Sequence, residues 1–203
     1  MNPVRNLDNS PQQHKHNMRK RFPDRNRMMN ISNGVKKAAV LVEDNYQVLE
    51  VWYPYLRLRE EGIQTVFVGT GKKIYKSKEG YPAEEELSIK KARFRDFDAV
   101  IIPGGYAPDI LRRYEEVNNF VRDMYNKGKV VAAICHAGWV LVSAGVLRGR
   151  KVTGFYAIKD DLINSQAEFI DKEVVVDGNL ITSRNPYDLP AFCSQIIKKL
   201  KNK

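Results

Sequence analysis

Residues 130–138 read VVAAICHAG, and the apolar segment WVLVSAG follows them. An unbroken run of small or β-branched apolar residues marks a parallel strand buried on both faces, and small residues after it let the chain turn sharply into a helix. Cys135 then stands at the elbow, at the carboxyl end of a sheet and close to a helix N-terminus, whose partial positive charge favours thiolate over thiol. The N–H of the residue after such a nucleophile can face a developing oxyanion. A lone Cys after an apolar strand also fits a small buried hydrophobe. The chain has three histidines, and His14 and His16 lie in the polar first segment, so His136 is the one histidine beside this elbow. The pair is a candidate thiol and proton carrier, with the core reading left open.

On the amino side, KKAAVLVED from Lys36 predicts a first parallel strand, and TVFVGT a second. Between them Val48, Val51, Tyr55 and Leu58 recur at helical spacing. Pro54 falls inside that segment, which predicts a kink near Val51 or a short first helical piece. GKKIYKSKEGYP reads as a hairpin excursion. DAVIIPGG is a third apolar strand, ending in Pro103, Gly104 and Gly105. Two glycines there suit either a tight turn or a close approach of backbone to Cys135 from the neighbouring strand end. The next segment, YAPDILRRYEEVNNFVRDMYNKGK, predicts one helix with Asp109 in its first turn. On the carboxyl side RGRKVTGF begins another strand, IKDDLINSQAEFI gives a short helix with a loop, and EVVVDGNLITSR is a hairpin around an Asp177-Gly178 type I′ turn. A lysine-ended helix closes the chain. Strands alternating with helices predict an α/β fold with a mostly parallel central sheet covered by helices on both faces.

The formal charge of +10 suggests a nucleic-acid partner until it is divided. Residues 1–37 hold nine Lys or Arg against Asp8 and Asp24, a net of +7, which leaves +3 for the rest. Residues 1–36 are therefore a polar, basic leader, expected to be disordered, and residues 37–203 one domain. Nucleic acid is suggested by the leader alone. Two cysteines in 203 residues make no disulfide framework and point to a reducing, cytoplasmic setting, with Cys193 a core residue of the last helix. No apolar run approaches the ~20 residues that span a bilayer, so no membrane partner is expected. One Cys beside one His, without a second ligand pair, cannot build a usual zinc site, and no phosphate-binding GxxxxGK[ST] or GxGxxG loop occurs. No metal and no cofactor are expected. A papain-like enzyme needs a distant histidine, and none follows His136.

VEDNYQVLEVWYPYLRLREEG, VIIPGGYAPD, VVAAICHAGWVLVSAGVLRGRKVTGF and VVVDGNLITSRNPYDLPAF, in this order, resemble the ThiJ/PfpI family of the class I glutamine-amidotransferase-like fold. The resemblance runs from Lys37 to about Leu200. It implies a flavodoxin-like sandwich with a nucleophile elbow, and a homo-oligomer, a dimer or a hexamer, whose site is completed by an acid from a neighbouring subunit. It puts the nucleophile on Cys135, the adjacent histidine on His136 and the acid from the neighbour on Asp109, where close relatives carry Glu. The family also places a carboxyl beside the thiol. Anchored on EVWYP, that position is Gln47, flanked by Glu43 and Glu50, and an amide there cannot exchange a proton.

The leading expectation is thus an enzyme whose Cys135 thiolate adds to a reactive carbonyl, a glyoxal or a glycated protein. Backbone N–H groups of Gly105 and His136 would face the oxyanion, and His136 oriented by Asp109 would move the proton. The resemblance also implies an intracellular cysteine peptidase, the second reading, since a buried elbow shared between subunits admits small carbonyls more readily than a folded polypeptide. A different class, a non-catalytic redox sensor or stress chaperone, also fits an accessible thiol, and Gln47 favours it.

Overall fold

The computed structural model describes residues 34–202, so the expectations for the leader lie mostly outside the described residues. Its centre is β7 (Val130–Ile134), every residue of which is buried. The strands β1 (Lys37–Leu41), β2 (Gln64–Gly69), β5 (Leu87–Ser88), β6 (Ala99–Ile102), β10 (Val174–Asp177) and β11 (Leu180–Ser183) complete a seven-stranded sheet in the order β10-β11-β7-β6-β1-β2-β5. All its pairings are parallel except β10 with β11. The apolar runs of β1, β6 and β7 are the sheet's middle because parallel strands must be covered on both faces. The cover comes from α1 (Val48–Glu60) packed on α6 (Leu189–Lys201), and from α3 (Glu115–Asn126) packed on α4 (Gly138–Ala144). The short helices α2 (Ala107–Leu111) and α5 (Lys159–Asn164) both lean on α4. The expected α/β class with a mostly parallel sheet is the architecture found, and no described helix is long and apolar enough to cross a membrane.

Four local readings change. Pro54 does not divide its segment: one helix runs from Val48 to Glu60, with Pro54 buried on the same face as Val51, Tyr55 and Leu58. The long segment after Gly105 is two helices, because Tyr114 turns extended (φ −92°, ψ 117°) and Asn118 Nδ2 donates to the freed carbonyl of Arg112 at 2.8 Å. The β10–β11 hairpin pairs Asp177 with Leu180, so its loop is Gly178-Asn179. Only Gly178 there has positive φ (61°), the pattern of a type II′ turn. Finally β8 (Lys151–Val152) pairs with β9 (Glu168–Phe169) outside the main sheet. The excursion after β2 is a hairpin of β3 (Ile74–Lys76) and β4 (Pro82–Glu84).

Candidate active site

Cys135 follows β7 directly and takes φ 62°, a left-handed conformation that costs a non-glycine residue about 1–3 kcal/mol. Two features hold it there. Ile134 before it is extended strand, and a 3-10 turn over Cys135–Ala137 after it runs straight into α4. The Cys135 carbonyl accepts the Phe155 N–H at 3.1 Å, which ties the elbow to the loop after β8. The thiol is thereby fixed at the carboxyl end of the sheet, 7% exposed.

From the neighbouring strand end, the Gly104-Gly105 turn after β6 closes over the sulfur. A Cβ on Gly104 would lie 2.6 Å from both Cys135 Cβ and Glu50 Oε2, and one on Gly105 (φ 78°) would lie 2.5 Å from the Asn45 carbonyl oxygen. Only glycine fits this approach. Gly104→Ala should destabilise the fold by about 1–3 kcal/mol in denaturant unfolding and slow alkylation of Cys135, since the thiol or the carboxyl must move. The backbone N–H groups of Gly105 and His136 lie near the Cys135 sulfur and favour its thiolate.

Gln47 does not sit beside the thiol. It is the N-cap of α1, its Oε1 accepting the Glu50 N–H at 2.9 Å. The carboxyl beside the thiol is Glu50, fully buried in the first turn of α1. Its Oε2 accepts the Gly104 N–H at 2.7 Å, and the carboxyl lies beside the thiol across the same glycine, a Cβ on Gly104 falling 2.6 Å from Oε2 and 3.0 Å from Cys135 Sγ. Its Oε1 is buried without a hydrogen-bond partner. Burial dominates, so the Glu50 pKa is raised to about 7, with the Gly104 N–H, Cys135 and then Lys78 opposing the rise. Glu43, the other flanking acid, is buried elsewhere, accepting from Asp44 N and Thr70 Oγ1.

The thiol is not acidified as the helix-dipole reading predicts. Burial first, and then the negative charge of Glu50, push Cys135 up to about 12, against the lowering by the two N–H groups. His136 Nδ1 lies 3.3 Å from Sγ, and its ring packs against Trp139 and Phe155 at 5.1 and 4.7 Å between centroids. Burial and then the Lys78 charge lower the His136 pKa, so neutral imidazole is favoured and the cation expected to stabilise a thiolate is not. Asp109 is on α2, exposed and paired with Arg113, and is not brought to His136 within the subunit. Among the described residues no cluster of three or more His, Cys, Asp or Glu could hold a metal ion.

Thiol, buried carboxyl and two nearby N–H groups thus stand together where β7 and β6 end. Glu50 was legible in one respect. With Pro54 taken as a member of the buried face, Glu50 lies four residues before it on the same stripe.

Known proteins resemble this chain over most of its length. The DJ-1/PfpI family pattern matches residues 36–199. The Deglycase PfpI of Pyrococcus furiosus is 42% identical over 165 residues, 81% of this chain and 99% of that protein. The Protein/nucleic acid deglycase 2 of Escherichia coli is 40% identical over 168 residues, 81% of this chain and 98% of that one. The crystal structure of Drosophila melanogaster DJ-1beta superposes with a TM-score of 0.77 at 30% identity, covering 84% of this chain and 92% of that one. With its family pattern matched from the first strand to the last helix, the chain belongs to the DJ-1/PfpI family.

Proposed function

We propose that the protein is a cysteine-dependent enzyme that acts on reactive carbonyls, of the deglycase or glyoxalase kind, in a reducing cytoplasm. One observation carries the reading: a fully buried carboxyl, Glu50, with its pKa raised to about 7, lies beside the Cys135 thiol across Gly104. A group poised near the working pH both takes and returns a proton. In the first step the Cys135 sulfur bonds to the aldehyde carbon and the carbonyl π bond breaks. The thiol proton passes to Glu50, which returns it to the new oxyanion, giving a hemithioacetal. The N–H groups of Gly105 and His136 face the centre where charge develops. A small carbonyl reaches a thiol that is 7% exposed, whereas a peptide bond of a folded polypeptide does not, so the peptidase reading is the weaker.

The test is steady-state consumption of methylglyoxal with release of lactate, beside Cys135→Ser. Turnover lost in that variant supports the reading. An unchanged rate, or no turnover by the native chain, counts against it and for the redox-sensor class. Both relatives above carry the name deglycase, which is why carbonyl chemistry is tested first.

We also propose that the site is completed in a homo-oligomer by Asp109 of a neighbouring subunit. What supports this is that Asp109 is exposed while His136 has no carboxylate among the described residues within hydrogen-bond reach. Asp109→Asn should lower turnover about tenfold or more with the fold intact. Mixing it with Cys135→Ser subunits should restore part of the activity. Full activity in a monomeric preparation would overturn the shared site.

A further inference from the structure

The β3–β4 hairpin is stitched to the wall of the site through Asp44, Asn45 and Tyr46, with Lys76 N donating to Asp44 Oδ1 at 2.9 Å and Asn45 N to the Lys76 carbonyl at 2.7 Å. Tyr46 bridges Ser77 on one side and Gly105 on the other. Its carbonyl accepts the Lys78 N–H at 3.0 Å, while Gln47 N donates to Gly104 O at 3.2 Å and Tyr106 N to Asn45 O at 2.9 Å. The hairpin's end is held from below as well: Tyr46 Oη donates to the Tyr81 carbonyl at 2.6 Å, and Ser77 Oγ accepts from the N–H groups of Glu79 and Tyr81. Lys78 is therefore anchored one residue away from the turn whose N–H reaches the thiol. Its side chain is exposed, and its ammonium makes no hydrogen bond or ion pair with any described residue. Glu50 cannot serve as partner, being fully buried with Oε2 committed to Gly104. The Lys78 charge is felt by both Glu50 and His136, the groups on either side of the sulfur.

Resting on the carbonyl reading above, we propose that Lys78 is a specificity residue: its unpaired ammonium at the mouth of the site receives the carboxylate of a 2-oxoaldehyde that ends in one. A single ammonium matches a monoanion, while recognition of a phosphate dianion draws on several donors or a guanidinium fork. The carbonyl end enters toward Cys135 and the carboxylate stays at the solvated rim with the exposed Lys78 side chain. Water then converts the bound 2-oxoaldehyde into a 2-hydroxy acid, the aldehyde carbon being oxidised and the ketone carbon reduced within one molecule, so no outside oxidant enters.

Two ratios test the proposal, and because each compares two compounds on one protein, any change in thiol ionisation cancels. The first is the rate of Cys135 alkylation by iodoacetate over that by iodoacetamide, read by peptide mass mapping. The second is kcat/KM for 4,5-dioxopentanoate over that for methylglyoxal. Lys78→Gln should lower both ratios about three- to fivefold and Lys78→Arg should restore most of each, the size expected of one exposed charge pair. If Lys78→Gln leaves either ratio unchanged, the proposal is overturned while the carbonyl reading stands. If the native chain turns over neither carbonyl, the carbonyl reading and the substrate class fall together. The alkylation ratio then reports separately whether Lys78 draws anions to the thiol.

Discussion

Glu50→Gln should lower methylglyoxal turnover at neutral pH by about 10²–10³-fold, the range in which a positioned proton-transfer group contributes. The amide keeps the shape and can still accept from the Gly104 N–H, but it neither takes nor returns the thiol proton. The same substitution has a stability signature of its own. Burial raises the Glu50 pKa from 4.5 to about 7, so the folded chain holds this proton more tightly than the unfolded chain. The contribution of the neutral carboxyl is complete below about pH 4.5 and is lost as pH rises through about 7, a change on the order of 3 kcal/mol. Denaturant midpoints of the native chain should therefore fall relative to Glu50→Gln across that window. Parallel pH profiles for the two proteins would mean that the carboxyl is not protonated more readily when folded.

The second large effect separates the two cysteines. Both thiols are pushed up to about 12 by burial, so neither is reactive on acidity alone. Cys135 has a base in contact, two N–H donors and 7% exposure, whereas Cys193 is 1% exposed in α6 with no such partners. Iodoacetamide at neutral pH should label Cys135 about 10²-fold faster, and peroxide should oxidise it first. Peptide mapping reads both. Equal labelling in the folded protein would remove the basis for a nucleophile.

The sheet and its elbow were legible because the residues there leave little choice. VVAAI and AVII have no polar face, so they read as central strands, and the PGG turn signals a close approach that Gly104 makes against Cys135 and Glu50. The carboxyl was not legible by alignment on EVWYP for a physical reason. Pro54 counted as a break, which hid the helical face it shares with Val51, Tyr55, Leu58 and Glu50, and an acid in a first helical turn ordinarily looks out to water. Gln47 meanwhile proves to be the cap of that helix. The acidity of the thiol was misjudged because local charge favours a thiolate at a helix start, while burial, which sequence does not display, outweighs it. Asp109 fits its expected turn of the chain, yet only an assembly could bring it to His136.

Cys135 and Glu50 should titrate as a pair in which one proton is shared. The most direct test is the pH dependence of Cys135 alkylation by neutral iodoacetamide in the native chain and in Glu50→Gln. When Glu50 carries its proton the thiol has no base, and when Glu50 ionises the thiol proton has somewhere to go. The native rate should rise through an inflection near pH 7, the value to which Glu50 is raised. In Glu50→Gln that inflection should vanish and the rate should climb only in the alkaline range, where the buried thiol ionises unaided. An inflection near neutrality that persists unchanged in Glu50→Gln would contradict the account.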